Sequence, residues 1–202
     1  MKKLTAYFSK GELILWGGSA GLILLSFFLF DRVNFMTLAA SLIGTTSLIF
    51  NAKGNPIGQA LMILFSLLYG IISYTFSYFG EMITYLGMTA PMALFALITW
   101  LRNPFGGNHA EVTVNRLKPF EGHLMLLLTA VVTFGFYFIL EVFETANIIP
   151  STLSVATSFI AVYLTFRRSP YFALAYAAND VVLIILWTLA AVEDITYISV
   201  LI

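Results

Sequence analysis

Cysteine is absent from the 202 residues, and His109 and His123 are the only histidines. Disulfide frameworks, thiol catalysis and Cys-based metal sites are therefore excluded. Neither histidine sits in a His-Glu-x-x-His or comparable frame, so no metal site is read and no catalytic residue is assigned. Charge is scarce too. Only 10% of the residues are Asp, Glu, Lys or Arg, with a formal net charge of zero, against about 25% charged in an ordinary soluble domain. Without a basic block there is no footprint for nucleic acid. No Gly-x-x-x-x-Gly-Lys loop is present, so no nucleotide cofactor is implied. A membrane-embedded enzyme would need a second intramembrane acid, a Ser beside a base, or His and carboxylates at metal spacing, and the chain offers none of these.

What the chain has is apolar length. It is 60% hydrophobic with a mean hydropathy of +0.93, which defines an all-α polytopic membrane protein whose first partner is the lipid bilayer. Apolar runs extend over residues 13–30, 35–50, 57–79, 82–101, 124–140, 148–166 and 171–192, followed by a stub, 195–202. Asp31-Arg32, residues 51–56, Gly80-Glu81, the polar stretch 102–123, residues 141–147, residues 167–170 and Glu193-Asp194 separate them. Seven spans and part of an eighth are predicted. Lys2, Lys3 and Lys10 ahead of the first run resemble a signal peptide, but the run is long and no small-residue cleavage site follows it, so it reads as a retained span. With the N-terminus inside, nine of the ten basic residues fall on the inner side and only Arg32 lies outside, in accord with the positive-inside rule.

An internal repeat organises the chain. Glu81-Met-Ile-Thr-Tyr85 recurs as Glu193-Asp-Ile-Thr-Tyr197, and Ser41-Leu-Ile-Gly-Thr-Thr-Ser47 is echoed by Thr152-Leu-Ser-Val-Ala-Thr-Ser158, at offsets of 112 and 111 residues. Four spans lie within one period. An even number gives both copies the same orientation, a parallel repeat with a substrate site between its halves. The first copy continues to Trp100, whereas the second stops at Ile202. Nine residues of helix rise only about 14 Å, so the eighth span is expected to be incomplete.

The seventh run carries an Asn179-Asp180 pair at its middle, and intramembrane ionisable residues are costly enough to mark function. At helical spacing Phe172, Tyr176, Asp180, Leu183 and Trp187 fall near one stripe with Asn179 beside it. Rings flanking an amide and a carboxylate suit a small, flat, cationic ligand with hydroxyl groups. Other readings stay open here. Asp180 can be a structural acid bonded to a neighbouring helix, and Asn179 can simply join two helices. Thr45, Thr46, Thr157 and Ser158 read as packing residues whose hydroxyls bond the preceding turn. Glu81 and Glu193 read as charges favoured by the dipole of the helix that follows. Gly17, Gly18 and Gly21 read as a close-packing face.

Gly58, Leu68-Tyr69-Gly70, Tyr78-Phe-Gly-Glu-Met82, Trp100 with Arg102-Asn-Pro104, Arg167-Arg168, Asn179 and Leu186-Trp187 resemble the PnuC family of bacterial vitamin transporters, over most of the chain. The resemblance implies a SWEET-related fold of two three-helix bundles joined by a linker helix. In that scheme residues 1–30 are an additional helix, 34–101 the first bundle, 102–146 the cytoplasmic connection and linker, and 147–202 the second bundle. It further implies import of nicotinamide riboside, an NAD precursor, by facilitated diffusion across a bacterial inner membrane, with cytoplasmic phosphorylation trapping the vitamin, and a possible homo-oligomer. The substrate residues it points to are Asn179, Asp180, Tyr176, Trp187, Phe172 and Tyr69. The family signature Trp-x-x-Trp-x-x-x-Asn keeps its Asn at Asn179 but has Phe172 and Ala175 in place of the two Trp. That leaves thiamine, riboflavin or a deoxynucleoside as alternative cargoes. A rival class is the substrate-capturing subunit of an energy-coupled vitamin importer.

Overall fold

The computed structural model describes residues 7–75, 79–145 and 147–193, with the side chains of 187, 190 and 193 outside that description. Seven helices account for most of it: α1 (Lys10–Phe30), α2 (Phe35–Ala52), α3 (Pro56–Thr75), α4 (Phe79–Leu101), α5 (Pro119–Val142), α6 (Ile148–Phe166) and α7 (Phe172–Glu193). The first six are long and apolar enough to cross a bilayer, and the described apolar part of α7 is Phe172–Leu186. Each expected run is thus a helix, while the eighth segment lies outside the described residues.

Helix ends follow local chemistry. Ser9 and Glu12 close a reciprocal cap on α1: the Glu12 N–H donates to Ser9 Oγ at 3.2 Å and the Ser9 N–H to Glu12 Oε2 at 2.7 Å. Pro56 opens α3 and Pro119 opens α5, where the missing N–H costs nothing. The expected break at Gly80-Glu81 is not one: both residues lie inside the first turn of α4. A carboxylate there complements the helix dipole, so the charge marks a helix start and not a loop. Within α4, residues Tyr85–Thr89 widen into one π-helical turn, with the Ala90 N–H reaching back to the Tyr85 carbonyl. Pro91 explains it, since its ring would collide with the carbonyl four residues back in a regular helix.

The stretch expected as a polar connection between α4 and α5 is ordered. Pro104–Phe105 (β1) and Asn108–Val112 (β2) pair antiparallel around Gly106 and Gly107, whose φ angles of +56° and +80° suit a primed hairpin turn. Helix α5 then starts at Pro119, five residues before the apolar run does.

Packing runs α1 on α2, α2 on α3, α3 on α4, α4 on α6, and α6 between α5 and α7. Helix α6 is the most enclosed, with half of its spanning window buried, against 6% for α1. Met88, Leu140, Val155, Phe159 and Tyr163 form a buried cluster from α4, α5 and α6. Trp100 of α4, 1% exposed, donates its indole N–H to the Thr165 carbonyl of α6 at 2.9 Å. The glycines of α1 do not do what the sequence suggested. A Cβ added at Gly17, Gly18 or Gly21 meets nothing within 4 Å, so among the described residues their face is unpartnered. The close approaches lie elsewhere, at Gly58 against Asn51 and Gly70 against Leu86.

The basic end of the bundle is laced together. Lys53 pairs with Glu12 at 3.1 Å and Arg167 with Glu121. The Val112 N–H reaches the Gly54 carbonyl at 3.0 Å. Asn115 donates from its backbone to the Arg168 carbonyl at 3.0 Å and from Nδ2 to the Arg167 carbonyl at 3.2 Å. The hairpin and the irregular segment after it therefore hold both the α2–α3 and the α6–α7 loops. Burial, reinforced by the Arg167 charge beside it, lowers the Arg168 guanidinium from its ordinary value, though an arginine stays charged at physiological pH.

Candidate functional site

Asn179 is the buried polar centre of α7, 6% exposed. Its Oδ1 accepts from Thr157 Oγ1 at 2.7 Å and from Ser158 Oγ at 2.9 Å, both on α6. Thr157 also has the Leu153 and Ser154 carbonyls at 3.1 Å, so its one proton is shared and the shortest contact is to Asn179. The packing role expected for these hydroxyls is therefore only half of what they do: they also fix the amide, and Asn179 does join two helices. Its Nδ2, with two N–H groups, has no partner among the described residues and is left to donate.

Tyr176, one turn before, is half-buried and stands edge-on to Phe172, with ring centroids 6.4 Å apart. It lines a crevice between α3, α4, α6 and α7 with Gln59, Met62, Ala93, Ala96 and Thr165, drawn tight enough to leave no room for a water molecule. Gln59, 2% exposed, is the principal residue that sequence reasoning missed. Its Nε2 donates to Asn51 Oδ1 at 2.8 Å, Asn51 Nδ2 to Ser47 Oγ at 3.2 Å, and Ser47 Oγ to the Gly58 carbonyl at 2.8 Å. That chain of bonds immobilises the glutamine and leaves its Oε1 as an acceptor at the crevice. The available signal was its being the one amide in the third apolar run.

Tyr69 lies apart from Asn179, packed against Tyr85 of α4 with centroids 4.4 Å apart and planes tilted by 47°, and with Phe65 at 5.6 and 5.8 Å from the two rings. Tyr85, also absent from the expected residues, joins Tyr69 and Phe65 in this aromatic group on the α3–α4 interface. Asp180 is exposed on the chain's surface and not enclosed between rings as the helical stripe suggested. Burial follows the facing helix: α6 covers Asn179, and the next position turns past it. The Trp187 side chain lies outside the described residues. No group of three His, Cys, Asp or Glu that could hold a metal ion is found among the described residues.

A bundle of apolar helices enclosing a narrow, largely apolar crevice, with a buried amide on α7 beyond it, fits a multi-pass membrane transporter. A family model described as nicotinamide mononucleotide transporter matches residues 34–202, and the chain belongs to that family. The crystal structure of the vitamin B3 transporter PnuC matches with a TM-score of 0.78 at 20% identity, covering 96% of this chain and 87% of that one. At that identity the likeness is one of fold. No curated protein matches. The resemblance to PnuC read from the sequence is thereby borne out, and the family is one of transporters and not of enzymes.

Proposed function

We propose that the chain imports nicotinamide riboside by facilitated diffusion, its two halves rocking about a site near mid-depth to expose it to each side in turn. Residues 34–101 and 147–202 act as the two bundles, 102–146 as the connection and linker, and 1–30 as an added helix. The N-terminus faces the cytoplasm, since Lys53, Arg102, Arg116, Lys118, Arg167 and Arg168 share its side and Arg32 does not. A bacterial inner membrane is the setting.

The observation that carries this reading is Asn179. Its carbonyl oxygen is engaged by two hydroxyls while its N–H groups have no partner among the described residues, one helical turn beyond Tyr176, which lines the crevice with Gln59. A donor from Asn179 and an acceptor from Gln59 match the carboxamide and hydroxyls of a nicotinamide nucleoside, and Tyr176 and Phe172 supply ring faces for a pyridinium. Charge favours the riboside over the mononucleotide. A phosphate would need a cation, whereas the ionisable residue in the middle of α7 is Asp180. The tightness of the crevice supports alternating access, because substrate can enter only after the halves move.

A second reading, another vitamin or nucleoside such as thiamine, riboflavin or a deoxynucleoside, is favoured by Ala175, which removes a ring that the family signature carries. A thermal-shift screen of the purified protein separates the two. A ligand at a hundredfold excess over its Kd adds about 2.7 kcal/mol to the folded state, and the ligand giving the largest shift is the cargo. No shift with nicotinamide riboside overturns the first reading.

A further inference from the structure

Glu81 takes no part in the Asn179 site, yet its surroundings are built for a ligand. It stands four residues before Tyr85 on α4, and that spacing puts both side chains on one face. Tyr85 packs on Tyr69 across the α3–α4 interface at 4.4 Å and 47°, and Phe65 closes a third side. Gly70 lets the two helices come this close, because a Cβ there would sit 2.6 Å from Leu86 Cγ. All four side chains remain partly exposed. The Glu81 carboxylate makes no ion pair or hydrogen bond among the described residues, and the first turn of α4 favours its negative charge. An unpaired carboxylate beside tilted tyrosine rings is the chemistry that attracts a flat organic cation.

We propose that Glu81 with the Tyr69 and Tyr85 rings forms a cation-receiving station at the end of the bundle opposite the arginine-rich face. It holds the positively charged ring of the substrate before that ring reaches Asn179. The station rests on the nicotinamide riboside reading, because that cargo carries a pyridinium charge. A purely structural Glu81, serving only the helix dipole, would be indifferent to the charge of the ligand.

The test uses calorimetric titration of the full chain with two probes of nearly one shape: nicotinamide riboside, a cation, and its dihydro form, which is neutral. Glu81→Gln is expected to weaken the cation about tenfold and the neutral form less than twofold. Tyr85→Leu is expected to weaken the cation more than Tyr85→Phe does, since Phe keeps the ring. Thermal melts of the unliganded variants establish that they fold. Equal losses on both probes, or no loss on either, overturn the station while leaving the carrier reading intact. Wild-type protein that binds neither probe overturns the carrier reading and the station together.

Discussion

The indole N–H of Trp100 reaches the carbonyl of Thr165 at 2.9 Å, joining the C-terminal end of α4 to the C-terminal end of α6. The same carbonyl accepts from the Arg168 N–H at 3.0 Å, so the bond adds a second partner to an acceptor already satisfied once. Trp100→Phe keeps the ring and is expected to cost about 1 kcal/mol, the net worth of one hydrogen bond. Trp100→Ala empties a fully buried site and should cost about 3–5 kcal/mol. Melting in detergent orders the two, and no loss with Trp100→Phe would mean that the indole N–H contributes nothing.

Asn179→Ala separates holding helices from holding ligand. Once the amide is gone, Thr157 can return its proton to the Leu153 or Ser154 carbonyl, each 3.1 Å away. Interhelical polar contacts average about 0.6 kcal/mol, so the fold should lose less than about 1 kcal/mol. Substrate affinity should fall at least tenfold, about 1.4 kcal/mol. A variant that melts early and binds normally would make Asn179 a helix joint only.

Asp180 invites a charge test of its own. Asp180→Asn conserves shape and removes the counter-charge, and affinity for a cationic vitamin is expected to drop about tenfold. Unchanged binding by calorimetry would assign the exposed carboxylate to the lipid or protein surroundings of α7.

The glycines divide into two groups with opposite expected responses. A Cβ at Gly58 would lie 2.2 Å from Asn51 Oδ1 and 2.6 Å from the Asn51 backbone nitrogen. The backbone cannot yield as a side chain could, so Gly58→Ala should destabilise by about 1–3 kcal/mol and disturb Gln59 with it. Gly17→Ala meets open space and should be neutral or gain up to about 1 kcal/mol from helix propensity. Strong destabilisation by Gly17→Ala would reveal a partner for that face beyond the described residues.

The sequence exposed the spans and the centre of α7 because polarity inside apolar runs is conspicuous, which is why Asn179 was legible and why the family could be read. Boundaries were less so. Gly80-Glu81 looked like punctuation, but a helix start welcomes an acid, and the hairpin around Gly106-Gly107 was absorbed into one polar stretch. Helical spacing assigns a face to a residue without saying what packs on that face. Asp180 could therefore be put on a stripe but not found exposed, and Gly17, Gly18 and Gly21 could be grouped but not found open. Gln59 was overlooked because it lies just behind Pro56, at the edge of a run where polar residues are cheap, and only the contact with Asn51 shows it fixed toward the crevice.

Uptake of labelled nicotinamide riboside by liposomes holding the purified chain, without ATP or any partner protein, tests the carrier reading most directly. The expected result is saturable entry that stops when inside and outside concentrations are equal and that falls at least tenfold with Asn179→Ala. Entry no faster than into protein-free liposomes would contradict it.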